Sequence, residues 1–138
     1  MSQLSKKIIK WQRKFGRSNL PWQINTNPYK VWISEIMLQQ TQVKTVIPYF
    51  EKFMNRYPNI ESLADSTEDE VLSYWSGLGY YSRGRNVLKS AKIIKKEFNS
   101  SMPSDSDSLE SLPGIGKSTA GAILSLGFKK RAAILDGN

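Results

Sequence analysis

Cysteine and histidine are both missing from these 138 residues. Their absence removes disulfides, thiolate and imidazole zinc sites, iron–sulfur ligation, cysteine nucleophiles and histidine bases from the chemistry open to the chain. Acid–base work must fall to carboxylates, Lys or Tyr. Long apolar runs are missing as well, far short of the roughly 18 residues needed to cross a membrane. The opening stretch MSQLSKKIIKWQRKF is amphipathic and has no apolar signal core, so a soluble intracellular protein is expected. No internal repeat is visible. No alternating run of strand length survives comparison with the helical pattern, and the expected fold is all-α.

What is present is a globular composition, 39% hydrophobic and 11% aromatic, with 20 Lys and Arg against 12 Asp and Glu for a net charge of +8. Such a surplus fits a polyanion partner, and it equally fits a charge kept for solubility. Leu4, Ile8, Trp11 and Phe15 line one face of a first helix that stops at Gly16. After a loop holding Pro21 and Trp22, Asn27 should cap a helix with Pro28 at its first position, where a missing N–H costs nothing. A third helix is expected from about Thr41 to Tyr57, with Val43, Val46, Ile47, Phe50, Phe53 and Met54 inward and Pro48 bending it or marking its first turns. Thr67 to Glu70 reads as a capping box. The glycine loop Gly77-Leu78-Gly79 leads into a basic helix, with Arg83, Arg85, Lys89 and Lys92 expected on its exposed side and Val87, Ala91, Ile94 and Phe98 on its core side. The stretch from Ser100 to Ser108 reads as a polar loop and helix start.

Ser111 to Leu126, SLPGIGKSTAGAILSL, looks at first like a nucleotide-binding loop. A phosphate-binding loop of that kind needs a glycine five positions before the Gly of G-K-[ST] and a strand leading in. Ser111 occupies that position, and the lead-in SDSDSLES is a short capped helix with Leu109 and Leu112 inward. The unit is therefore helix, glycine hairpin, helix. Gly114 and Gly116 leave backbone N–H groups unobstructed at the start of the next helix, where one phosphate of a DNA strand could dock without any sequence being read. An ordinary helix–helix turn would carry the same residues.

Five stretches give the chain a relative. They are LPW at Leu20, PYKVWISEIMLQQTQV from Pro28 to Val43, GLGYYSRGRN from Gly77 to Asn86, LPGIGKSTAGAILS from Leu112 to Ser125, and ILDGN from Ile134 to Asn138. In this order they resemble the helix-hairpin-helix DNA glycosylases, most closely the A/G-specific adenine DNA glycosylases of the endonuclease III superfamily. The resemblance implies a six-helix-barrel lobe plus an N-terminal helix with the second lobe incomplete. Residues 1–138 would form a truncated glycosylase domain with its hairpin at about 105–128, the cluster region and a C-terminal lesion-recognition domain being absent.

The resemblance also implies roles. Glu35 would protonate a ring nitrogen of adenine and help deliver water. It stands among Trp32, Ile33, Ile36 and Met37, where desolvation would keep it protonated, although an exposed helix-surface Glu is the plainer reading. Asp136 would stabilise an oxocarbenium-like sugar, a division of labour between two carboxylates that parallels glycoside hydrolysis; Asp136-Gly-Asn could also be a helix N-cap. Gln40, Thr41, Leu78 and Tyr80 match residues that contact 8-oxoguanine and wedge the duplex. Core packing is the other reading of Leu78 and Tyr80, against which a Gly-flanked loop is poorly placed for burial. Trp22 would wall the adenine pocket or sit in the core. Gly114, Gly116, Lys117 and Ser118 would meet DNA.

Ser118 occupies the place of the Schiff-base lysine of strand-cutting relatives, with Lys117 one residue earlier, and so implies a monofunctional enzyme. The expected activity is hydrolysis of the N-glycosidic bond of adenine opposite 8-oxoguanine or guanine. An endonuclease-III-like glycosylase for oxidised pyrimidines, an inactive DNA-binding remnant and a helical protein–protein module are the alternatives. Family members carry a [4Fe–4S] cluster on four cysteines, and no cofactor is expected on this chain. The expected partner is double-stranded DNA, with no membrane association. The expected state is a monomer in a bacterial cytoplasm, associated with the nucleoid.

Overall fold

The computed structural model describes residues 20–39 and 41–129, all helix, turn or loop. The helices are α1 (Pro28–Leu38), α2 (Val43–Arg56), α3 (Ile60–Ala64), α4 (Glu68–Trp75), α5 (Tyr81–Glu97), α6 (Ser106–Glu110) and α7 (Lys117–Ala122), followed by a π-helical turn, Ile123–Gly127. No strand forms among the described residues, in keeping with the all-α expectation. The first helix expected from Leu4 to Phe15 lies outside the described residues.

The local signals act as expected at most boundaries. Asn27 is extended and accepts from Lys30 N at 2.8 Å, with Pro28 opening α1 behind it. Asp105 caps α6 through Ser108 N at 2.9 Å. At Thr67 only half of the expected box forms. Its hydroxyl accepts from Glu70 N, but the Glu70 carboxylate turns to Arg56 at 2.7 Å and to Ser66. The reciprocal box is instead at Asn59 and Ser62, a pair whose signature is Asn…Ser and not Ser…Glu. The helix expected from Thr41 begins at Val43, because Gln42 is extended and serves as its cap. Pro48 sits inside α2 without ending it, and Val43, Ile47 and Met54 are half-buried where they were expected inward.

α1 is buried nearly all round, with Tyr29, Val31, Trp32, Ile33, Ser34, Ile36 and Met37 all out of solvent. It is therefore the central helix, and α2, α7 and the π-helical turn pack against it. Around it the aromatic side chains meet edge to face: Phe53 with Trp75 at 5.8 Å, and Trp22 with Phe50 at 5.3 Å. That geometry sets the positive edge of one ring on the negative face of the next. Tyr29 spans two elements and donates its hydroxyl to the Tyr57 carbonyl at 2.7 Å. α3 and α4 pack on α5, where Val87, Ala91 and Ile94 supply the core side.

Candidate active site

Glu35 lies on the central helix, between Ser34 and Ile36, both buried. Its own side chain is half-buried, and desolvation pushes the carboxyl above the usual range. Among the described residues it makes no hydrogen bond and no ion pair, so nothing there offsets the cost of its charged form. The plainer reading of Glu35 as an exposed surface residue is thus set aside. Its placement follows from the helix around it: with apolar residues on every face, α1 leaves the carboxylate no fully solvated side.

The segment after α1 turns at once. Gln39 and Thr41 donate backbone N–H groups to Ile36 and Leu38, each at 3.3 Å. Gln40 and Asp136 lie outside the described residues. From α5, the Arg83 guanidinium reaches back to the Ile36 carbonyl at 2.8 Å and also bonds the Gln39 carbonyl. Those carbonyls lie at the C-terminal end of α1, where Gln39 N–H and the Thr41 hydroxyl bond them only weakly, and a cation there also faces the negative end of the helix dipole.

The expectation of an exposed basic side on α5 holds for Arg85, Lys89 and Lys92 and fails in part at Arg83. Arg83 is half-buried, and burial lowers its pKa against the opposing effect of Tyr80. Arg85 pairs with Glu68 at 3.1 Å. Lys92 is classed with the exposed residues, yet its ammonium donates to the Ala64 carbonyl at 2.7 Å and so closes α3. Of the four cations named on that face, Lys89 is the one with neither an ion pair nor a side-chain hydrogen bond among the described residues.

The glycine loop also departs from expectation at one position. Leu78 is buried, 6% exposed, and belongs to the core; its N–H donates to the Trp75 carbonyl, which folds the loop back under α4. Tyr80 behaves as expected and stands 54% exposed, in the left-handed conformation at φ 54 and ψ 53. A non-glycine residue there is strained and is found mostly where a site requires it. Trp22, 9% exposed and edge-on to Phe50, is a core residue.

The hairpin has the predicted form. Gly114 adopts φ +81, and a Cβ there would lie 3.0 Å from that of Asn86 on α5, so glycine answers both the turn and the close approach. Ser90 of α5 donates to the Pro113 carbonyl at 2.8 Å. Ile115 points into the core, whereas Gly114, Gly116, Lys117 and Ser118 are exposed. Sequence reading missed Arg83, Asn86 and Ser90 as supports. No periodic signal could have found them, because each acts on an element remote in the chain.

Among the described residues no three His, Cys, Asp or Glu side chains are grouped to hold a metal ion. With no cysteine in 138 residues, the chain offers no thiolate to an iron–sulfur cluster. No helix of the described residues is long and apolar enough to cross a membrane.

The chain is similar in sequence and fold to known proteins. The chain is 63% identical over 131 residues to the adenine DNA glycosylase of Buchnera aphidicola subsp. Baizongia pistaciae, covering 95% of this chain and 37% of that protein. It is 41% identical over 140 residues to the adenine DNA glycosylase of Mus musculus, covering 95% and 27%. It therefore spans well under half the length of these curated relatives. A thermostable thymine-DNA glycosylase superposes with a TM-score of 0.77 at 27% identity, over 86% of this chain and 55% of that one. A non-covalent endonuclease III–DNA complex superposes at 0.72 and 21% identity, over 92% and 60%, and shares the fold. The profile of the HhH-GPD superfamily base excision DNA repair proteins matches residues 33–138, more than half of the chain, and the chain belongs to that family.

Proposed function

We propose that this chain carries the base-excising part of a monofunctional DNA glycosylase that hydrolyses the N-glycosidic bond of adenine mispaired with 8-oxoguanine or guanine in duplex DNA. The observation that carries the reading is the Glu35 carboxyl, half-buried on an otherwise apolar helix, its pKa raised and without a partner among the described residues. A carboxyl that holds its proton more firmly than a solvated one can give it to a ring nitrogen of an extruded adenine. The bond between that base and the sugar C1′ then breaks, its electron pair leaving with the base, and a water adds its oxygen to C1′ while giving its proton back to the Glu35 carboxylate. Asp136 is proposed to stabilise the positive sugar. The curated relatives bearing the name adenine DNA glycosylase support the choice of base.

Exposed Tyr80, with Gln40 and Thr41, is proposed to hold the opposite strand and fill the gap a flipped base leaves. Leu78 could join it only by leaving the core. Trp22 is proposed to back the base pocket from the core side. Gly114, Gly116, Lys117 and Ser118 are proposed to hold a backbone phosphate. Ser118 has no amine, so no imine with the opened sugar can form at that position, which favours simple hydrolysis over an endonuclease-III-like reaction. The test is incubation with a duplex carrying A opposite 8-oxoguanine, with and without alkali. Strand breaks that appear only after alkali support the reading. DNA retained without base loss would leave a DNA-binding remnant.

A further inference from the structure

Arg83 touches two of the segments proposed to meet DNA. Its Nη1 bonds the carbonyls of Ile36 and Gln39, at the end of the helix that holds Glu35. Its guanidinium lies 4.5 Å over the ring of Tyr80, the exposed, left-handed residue that opens α5. Among the described residues, its Nε and Nη2 are buried without a hydrogen-bond partner, and it faces no carboxylate. A half-buried cation with unspent donors is a poor choice for stability alone, since an apolar side chain of similar size is often neutral or better. A planar guanidinium is nevertheless the group that can grip carbonyls at its edge while stacking a ring on its face.

We propose that Arg83 is a positioning residue that locks the end of the Glu35 helix to Tyr80, so that the element entering the duplex and the carboxyl acting on the extruded base keep one register. The proposal rests on the excision reading above. The lock acts through both partners: Tyr80 is held in its strained conformation by the stack, and the last carbonyls of α1 are held by the edge. Glu35 is the residue before Ile36, so slack at Ile36 becomes displacement at the carboxyl, and a misplacement of about 1 Å can cost on the order of 100-fold in rate.

The experiment compares the parent with Arg83→Met and Arg83→Lys by hydrogen exchange, thermal melting, duplex affinity and single-turnover adenine release. Arg83→Met is expected to melt near the parent and to bind duplex within about threefold, with exchange about tenfold faster in both residues 36–41 and residues 78–82 and adenine release at least about tenfold slower. Arg83→Lys keeps the charge but cannot stack flat, and it should restore affinity without restoring the rate. Unchanged exchange at residues 36–41 in Arg83→Met overturns the proposal, whatever happens to the rate. If Arg83→Met does not fold, Arg83→Lys decides: parent-like exchange and rate would mean that charge alone suffices, which also overturns it. If the parent releases no adenine but both segments loosen together in the variants, the excision reading fails and the lock stands.

Discussion

The hydroxyl of Tyr49 rests so close over Gly77 that a Cβ at Gly77 would come within 1.9 Å of it, and Gly77 itself sits at φ +98. The loop bearing Leu78 and Tyr80 is thereby pinned to α2 by a contact and a conformation that only glycine satisfies. Gly77→Ala should cost about 2–4 kcal/mol from the left-handed backbone and the overpacking together. Denaturant unfolding would measure it. Tyr49→Phe added to it should recover only the packing share, because the backbone strain remains.

Glu35→Gln keeps the shape of the side chain and loses the transferable proton. Adenine release should fall by about 10²- to 10⁴-fold, with duplex affinity near that of the parent. Comparable single-turnover rates for the two proteins would remove Glu35 from the reaction.

The same carboxyl should leave a mark on stability. Its folded pKa is raised by desolvation, so the folded state prefers the protonated form. The stability it contributes is fully present below the unfolded carboxyl's pKa and is lost as pH rises through the folded value. Glu35→Gln should therefore melt higher than the parent at neutral pH, and the difference should shrink as pH falls toward the acid range. Melting curves of both proteins across that range would show it, and a gap that widens in acid would mean that Glu35 is held by an unseen cation.

Internal pairing of Arg83, Arg85 and Lys92 lowers the number of cations on α5 free to meet phosphate. Roughly three to four neutralised phosphates should give a log–log salt slope near −3 for duplex binding. Lys117→Ala should weaken all duplexes alike and flatten that slope by about one. Binding indifferent to salt would rule out this interface.

Ser118 stands exposed in the first turn after the hairpin. Ser118→Lys should place an amine near the opened sugar, with a pKa lowered by neighbouring positive charge. Borohydride should then trap the variant on DNA and not the parent. Strong trapping of the parent would instead point to Lys117.

Much of the site was legible in local pattern. Asn27, Pro28, Asp105 and Gly114 sit where caps and turns require them, because those preferences depend on a residue and its nearest neighbours. The matched stretch around Glu35 named the carboxylate before any coordinate did. The hairpin followed from the failure of the phosphate-loop pattern at Ser111.

What the sequence by itself determined is most of the helices, several of their caps and the hairpin. Only the tertiary structure decided which of their side chains meet water and which meet another element. Arg83 reads as a surface cation, but the Ile36 carbonyl, brought from 47 residues away, draws it half out of solvent, and Lys92, exposed as expected, bonds the Ala64 carbonyl 28 residues away. Leu78 lies in a loop that reads as poorly placed for burial, yet the fold buries it in the core. Helical periodicity records which side chains share a face. It holds no information on whether that face meets water or the open end of another helix, because that depends on chain brought in from a distance.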